Sequence, residues 1–240
     1  MKKILLSLLI TTAAQVHADY SEPFGVLDET ALQAVDDFIP ADWKAIALAQ
    51  GDLNDDQLTD YALVIQKTDP ANIHSSEGLI AGETDANPRH LLLLFANPAG
   101  EDKAAEQLNR KRLYRRFIPS LNPEYPNLAE PFSYIAINEG TLEVKFEVWA
   151  TAGSWERDDL TFKFQYNKDS ETFPLISFDH RNVHKATGMF KDVNIDLVKN
   201  TMNKAAGSMS SPKHKKENSD FIPAQEWTPC SIKEPLVFYP

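Results

Sequence analysis

The sequence T-L-E-V-K-F-E-V, residues 141–148, decides the fold, because apolar and polar side chains alternate strictly along it. Its apolar positions are Leu142, Val144, Phe146 and Val148. An alternation with a period of two is typical of a β-strand that has one buried and one solvated face. A turn with a glycine, residues 138–140, precedes this strand. The stretch therefore predicts the second strand of a β-hairpin.

Three more strands are predicted around this one. Residues 132–137 precede the turn, residues 160–166 repeat the alternation, and residues 173–178 follow a polar turn. Strands joined by short turns, each with one wet and one dry face, are typical of an antiparallel meander. We expect an α+β, β-rich fold with a meander sheet of roughly six to eight strands, an N-terminal helix and long loops.

The N-terminal half supplies the helix and further strands. Asp28 is predicted to cap a helix that ends before Pro40. Lys44–Ala49 and Tyr61–Gln66 are predicted to pair as strands around a polar turn. The continuous apolar run His90–Phe95 predicts a short strand that is buried on both faces.

Several segments are less regular. Residues 68–88 are polar and rich in glycine and proline, so they predict a long loop. Residues 101–116 suit either a helix start or a strand, and residues 192–203 suit either a strand or a short helix. Residues 207–220 contain few apolar side chains and many Ser and Lys, so they predict a flexible polar segment.

The N-terminus has the order of regions found in signal peptides. Two lysines precede an apolar run over residues 4–10, and Val16 and Ala18 place small residues at a cleavage site. The prediction is export to the periplasm or the medium, with cleavage after Ala18 and no membrane span. The predicted organisation is a signal peptide over 1–18, a single β-rich domain over 19–206, the polar segment 207–220, and a C-terminal segment 221–240 that docks on the domain.

The chain is acidic, with a formal net charge of -11. Nucleic acid requires a basic surface, so the net charge argues against it as a partner, whereas cations are attracted to an acidic chain. The single cysteine, Cys230, excludes a disulfide within the chain.

The sequence G-D-L-N-D-D-Q-L-T-D, residues 51–60, carries the strongest chemical signal. Oxygen-bearing side chains recur at near-alternate positions, and a backbone carbonyl completes the candidate ligand set: Asp52, Asn54, Asp56, Leu58 and Asp60. Calcium prefers carboxylate and carbonyl oxygens of this kind, so we predict a structural calcium site. The alternative is an Asx-rich turn without metal, because Gln57 stands where a tight turn favours glycine.

A strand-forming run follows the loop directly, and Leu63 stands where an EF-hand needs a bidentate glutamate. The loop resembles the calcium-binding repeat of the FG-GAP/VCBS (integrin α-type) family. The chain also has a Pro-x-x-Trp stretch at 40–43, an Arg-x-Leu-Leu strand pattern at 89–94, Gly-Ser-Trp at 153–155, Phe-x-Leu-Ile at 173–176 and Asp-x-Asn at 192–194. With these motifs, the chain from Pro40 to about Asn203 resembles a group of small exported bacterial proteins of uncharacterised function that carry one such loop. This resemblance implies a β-rich fold and calcium, and it implies no activity.

Other candidate sites are weaker. Residues 110–116 hold a basic cluster: Arg110, Lys111, Arg112, Arg115 and Arg116. It could meet lipid phosphate or an acidic partner, or pair with acids of the same chain. His180 and His184 have a spacing that zinc ligands can have, and Trp149 is a candidate for sugar stacking.

No nucleophile elbow, phosphate loop or dinucleotide fingerprint occurs in the chain. We therefore expect a non-enzymatic binding or structural protein with no catalytic residues, whose partner is a protein or an envelope component. Two alternatives stay open: an inhibitor or immunity-type protein that binds an enzyme, and a hydrolase of envelope polymers.

Overall fold

The computed structural model describes residues 27–77, 82–98, 106–115, 118–209 and 211–220. The predicted signal peptide 1–18 and the predicted docking segment 221–240 lie outside the described residues, as does Cys230. No helix in the described ranges has the length and apolar character that crossing a membrane requires.

The predicted N-terminal helix is present as α1 (Glu29–Val35). The side chain of Asp28 accepts hydrogen bonds from the backbone N–H groups of Thr30 and Ala31 at 2.9 and 3.0 Å, which is the expected N-cap. A 3₁₀ turn, Asp36–Phe38, continues the chain towards Pro40.

A smaller antiparallel sheet follows the helix. Its strands, with a two-stranded hairpin inserted between the second and third, are β1 (Trp43–Gly51), β2 (Asp60–Lys67), β3 (Ile73–Ser76), β4 (Gly82–Asp85), β5 (Arg89–Pro98) and β6 (Glu106–Arg115). The sheet has the order β1-β2-β5-β6, while β3 and β4 pair only with each other. The segment 101–116, which suited a helix or a strand, thus contains the strand β6.

The predicted meander is confirmed as a seven-stranded antiparallel sheet. Its strands are β7 (Phe132–Asn138), β8 (Thr141–Trp149), β9 (Glu156–Gln165), β10 (Leu175–His184), β11 (Met189–Asp196), β12 (Thr201–Ser208) and β13 (Ser211–Asp220). Each strand pairs with the next one in sequence. The turn at Glu139 and Gly140 has φ of 48° and 72°, which suits a tight hairpin turn.

Two segments differ from a simple sequence interpretation. Residues 192–203, which were open between strand and helix, span the end of β11, a turn and the start of β12. Residues 207–220, predicted as flexible, include the end of β12 and all of β13. The pairing of β13 with β12 uses backbone hydrogen bonds, which need no apolar side chains, so composition alone does not reveal this strand.

The main core lies between the two sheets. Phe146 and Phe162 from the larger sheet pack in one cluster with Leu91, Leu93 and Phe95 from β5. A second cluster on the opposite face of the smaller sheet joins Leu92 and Leu94 with Val35 of α1. The strand β5 is therefore covered on both faces, and residues 91–96 have 0% exposure, as the run of leucines predicts.

The long segment between β2 and β5 is fixed by one buried amide. Asn87 has 0% exposure. Its Oδ1 accepts from the Asp69 N–H at 3.1 Å, and its Nδ2 donates to the Asp69 carbonyl at 3.0 Å and to Asp85 Oδ1 at 2.8 Å. The predicted loop 68–88 thus holds the β3–β4 hairpin, which is anchored at its base by Asn87.

Candidate functional site

The predicted calcium loop connects β1 to β2. Gly51 and Asp60 are paired at its two ends, so strands flank the loop on both sides, as predicted. All five predicted ligand residues lie in or at the end of this connection: Asp52, Asn54, Asp56, Leu58 and Asp60.

Asp52 organises the first half of the loop. Its Oδ1 accepts from the N–H groups of Asn54, Asp55 and Asp56 at 3.2, 2.7 and 3.2 Å, and its Oδ2 accepts from the Gln57 N–H at 2.8 Å. Burial alone would raise the pKa of Asp52, but these four donors outweigh it and hold the pKa below its usual value. Asp52 is therefore ionised at neutral pH and holds the turn in shape.

Asn54 and Asp56 hold the second half. Asn54 Nδ2 donates to Asp56 Oδ2 at 2.8 Å, and the Asp56 N–H donates to Asn54 Oδ1 at 3.1 Å. The other Asp56 oxygen, Oδ1, accepts from the Leu58 N–H at 2.9 Å. These local bonds are those of the Asx-rich turn that the sequence offers as its alternative.

Gln57 takes the conformation for which a glycine was expected. Its φ is 66°, and that of Asp55 is 59°. A left-handed residue that is not glycine costs roughly 1–2 kcal/mol, and here the bond from the Gln57 N–H to Asp52 offsets part of that cost. The missing glycine therefore does not prevent the loop from closing.

Asp60 ties the loop to the sheet. Its side chain has 0% exposure, and its Oδ2 accepts from the Leu53 N–H while its Oδ1 accepts from the Ala96 N–H on β5, both at 2.9 Å. Burial raises the pKa of Asp60 to about 6; the charges of Asp56 and Asp52 add to the rise, and the two N–H donors oppose it. The bond to Ala96 joins residues far apart in sequence, and no sequence pattern indicates it.

The loop has the donor chemistry of a calcium site but not a closed ligand shell. Among the described side chains, no three His, Cys, Asp or Glu residues converge as a metal-binding group. Each carboxylate oxygen has two lone pairs. The hydrogen bonds given above use one on each oxygen of Asp56 and Asp60. The second lone pairs of these oxygens are of the kind that calcium takes, so the residues fit this ion in chemical type.

A cleft of about 560 Å³ opens beside the loop. One wall is the first half of the loop, residues 51–55, and the others come from the β7–β8 and β9–β10 turns. These turns and the strand ends beside them contribute Ile137, Glu139, Gly140, Gln165, Tyr166 and Lys168. Sequence reasoning missed these residues, since turns distant in sequence meet only in the folded chain.

The two sheets approach closely beside the cleft. A Cβ atom built on Gly51 would lie 2.7 Å from Ile137 Cγ2, closer than real contacts allow. The lining carries the acids Asp52, Asp55 and Glu139 with one lysine, Lys168. It is thus an acidic cleft with an aromatic side chain, Tyr166, in its lining.

The histidine and tryptophan candidates are separate from this cleft. His180 Nε2 lies 2.7 Å from Asp158 Oδ1, whereas His184 Nδ1 lies 3.1 Å from the Thr187 hydroxyl. Both histidines are on the strand β10, four residues and therefore about 13 Å apart on the same face, which is too far to ligate one zinc ion. Trp149 carries Lys185 Nζ 5.1 Å above its ring.

The basic cluster belongs to an edge strand. Arg110, Lys111, Arg112 and Arg115 lie on β6, while Arg116 falls outside the described residues. The strand β6 ends the smaller sheet and pairs there with β5.

Comparison of the chain with protein-family models, with curated proteins and with solved structures found no match. The resemblance of the loop to the FG-GAP/VCBS repeat, and of the chain to the exported bacterial group, therefore stays a prediction.

Proposed function

We propose that the protein is an exported, periplasmic or secreted, non-enzymatic binding or structural protein whose acidic loop takes a structural calcium ion. The observation that supports the calcium site is the buried carboxylate of Asp60, which bonds to both the loop and β5 and whose pKa is raised by burial and by the charges of Asp56 and Asp52. The proposal of export rests on the pattern of residues 1–18.

The residues of the loop support a fastening role. Asp60 joins the Leu53 N–H of the loop to the Ala96 N–H of β5, and Gly51 packs against Ile137 of the larger sheet. The loop and its first residue thus contact both sheets, so a change in the conformation of the loop would affect both. The residues that would hold calcium are Asp52, Asp56 and Asp60, together with the Asn54 amide and the Leu58 carbonyl. When bound, the ion would supply positive charge that offsets the repulsion among the three carboxylates.

The expected effect on stability is moderate. Extracellular sites of this type bind calcium at about 10⁻⁴ to 10⁻³ M, so about 10 mM calcium would add about 1.4 to 2.7 kcal/mol to the free energy of unfolding. For a domain of this size, that corresponds to an increase in Tm of roughly 3–10 °C.

The test is thermal unfolding followed by circular dichroism in calcium or in EDTA. We expect calcium to raise the Tm of the unchanged protein and Asp56→Asn to lose most of the increase. Asp55→Asn is the matched control: it removes the same charge from an exposed neighbour outside the proposed ligand set and should keep the increase. An identical Tm with calcium and with EDTA for the unchanged protein would refute the calcium site.

The cleft bears on the hydrolase alternative. Asp55 and Glu139 line it, and a cleft beside carboxylates is what such an enzyme would need. Incubation with peptidoglycan and envelope polysaccharides tests this alternative, which requires turnover that Glu139→Gln abolishes. The inhibitor or immunity-type alternative is tested by capture of a stoichiometric partner from an envelope extract.

A further inference from the structure

We propose that the free edge of β6 binds an extended, acidic segment of a partner protein by adding it to the smaller sheet as a further strand. This inference does not depend on calcium, because it concerns the side of the sheet opposite to β1. Its occupant is a peptide strand with consecutive acidic residues.

The first argument for strand addition is the position of β6 at the edge of the smaller sheet. The strand pairs with β5 from Glu106 opposite Pro98 to Arg115 opposite His90. Within the described ranges, no strand pairs with its other side, and the sheet ends there. An edge strand presents a row of N–H and C=O groups outward, which can pair with another extended chain.

The second argument, which concerns the nature of the partner, is the positive charge of β6. Its ten residues, E-Q-L-N-R-K-R-L-Y-R, include four basic residues and one acidic residue. The whole chain has 24 basic and 35 acidic residues, so the charge of this edge is opposite to that of the protein. Opposite charges placed directly across two strands stabilise their pairing, whereas like charges destabilise it.

The same charges disfavour a second copy of this chain as the occupant. Antiparallel self-pairing centred on the cluster would place Arg110, Lys111 and Arg112 opposite one another. Basic residues at an edge commonly serve to prevent such self-pairing. The charges on β6 therefore disfavour pairing with a second copy of the chain and favour pairing with an acidic strand.

The register defines the partner more closely. Arg110 and Arg112 occupy positions beside Phe95 and Leu93, and Lys111 occupies the position beside Leu94. Because successive residues of a strand lie on opposite faces, the basic positions occur on both faces of the sheet. A matching strand needs acids at consecutive positions, since alternate acids would meet the bases of one face only.

The binding test uses the full chain and a labelled, terminally blocked peptide T-V-E-E-E-V-T, followed by fluorescence anisotropy at low salt. Two peptide controls separate strand addition from simple charge attraction. The first replaces the three glutamates with lysines. The second keeps the glutamates but carries N-methyl groups on all three of them, which removes N–H groups from both edges of the peptide.

Protein variants locate the site. Arg110→Glu/Arg112→Glu reverses two charges on β6, and Lys191→Glu/Lys204→Glu makes the same change within the larger sheet. The Tm of each variant is measured, and the N-methyl comparison on the unchanged protein holds even if a variant unfolds.

We expect saturable binding that weakens about tenfold on N-methylation and about tenfold in the β6 variant, with less than about twofold change in the control variant. The lysine peptide should not bind. Equal affinity for the N-methylated peptide, equal loss in both variants, or no saturable binding below about 1 mM would overturn the proposal. Binding to anionic lipid vesicles in place of the peptide would also overturn it, in favour of a membrane surface.

Discussion

The substitution Asp60→Asn isolates the pH dependence that one buried carboxylate gives to folding. Asp60 has 0% exposure, and its pKa is raised from 3.8 to about 6. The folded state therefore binds this proton more tightly than the unfolded state does. Its contribution to the free energy of unfolding is full below pH 3.8 and is lost as the pH rises through about 6.

The magnitude follows from the two pKa values. They differ by about 2.2, and a pKa difference of one is worth about 1.4 kcal/mol, so ionised Asp60 costs the folded protein about 3 kcal/mol. Most of this cost develops between about pH 4 and pH 7. Over that range we expect the contribution of Asp60 to the free energy of unfolding to fall by about 2 kcal/mol.

The assay is urea unfolding in EDTA at a series of pH values, for the unchanged protein and for Asp60→Asn. Other titrating groups, such as Asp158, are present in both proteins and cancel in the difference between them. The lost hydrogen bond of the Asn variant adds a constant offset, so only the slope with pH is informative. Asp55→Asn, which changes an exposed acid, should follow the unchanged protein. A difference between the unchanged protein and Asp60→Asn that does not vary with pH would refute this reasoning.

Three further predictions concern stability. Saturating calcium should reduce the pH dependence due to the buried carboxylate, since the cation stabilises its ionised form; an unchanged slope in the same urea assay would contradict this. Gly51→Ala should lower the free energy of unfolding in urea by about 1–3 kcal/mol, because the new Cβ would lie 2.7 Å from Ile137. Gly82→Ala should change this free energy little, because a Cβ there would have no atom within 4 Å. Arg89→Met should lower the free energy of unfolding by about 3–5 kcal/mol, because it breaks a bidentate ion pair with Glu130 at 2.7 and 2.8 Å. The double variant Arg89→Met/Glu130→Gln should recover part of that free energy. A loss below about 1 kcal/mol in the single variant would contradict the role of the pair.

Much of the fold follows from local patterns. The alternation at 141–148 predicts β8, the run of leucines predicts the buried strand β5, and Asp28 predicts the cap of α1. These elements are predictable because their apolar periodicity matches the surface that they bury. The division into two sheets is not predictable in this way, since it depends on which strands pair across long sequence separations. The strand β13 is hidden for another reason: few of its side chains are apolar.

The candidate site divides similarly. The loop residues and their flanking strands follow from spacing, because ligands and turn formers recur within ten residues. The bond between Asp60 and Ala96, and the cleft formed with Glu139 and Lys168, depend on tertiary packing. The raised pKa of Asp60 is likewise not predictable from the sequence, because it arises from burial that only the assembled sheets produce.

The order of the strands has a consequence for how the chain acquires its shape during synthesis. The smaller sheet is made before the meander that covers one of its faces, because the ribosome produces the N-terminal half first. Until residues 132–178 emerge, the inner face of β5, with Leu91, Leu93 and Phe95, has no cover from the larger sheet. Such an apolar strand is prone to aggregate. The later strands join by short hairpins between neighbours in sequence, which close quickly, so the period of exposure is set mainly by how soon they follow, during synthesis or, for the proposed exported protein, during translocation.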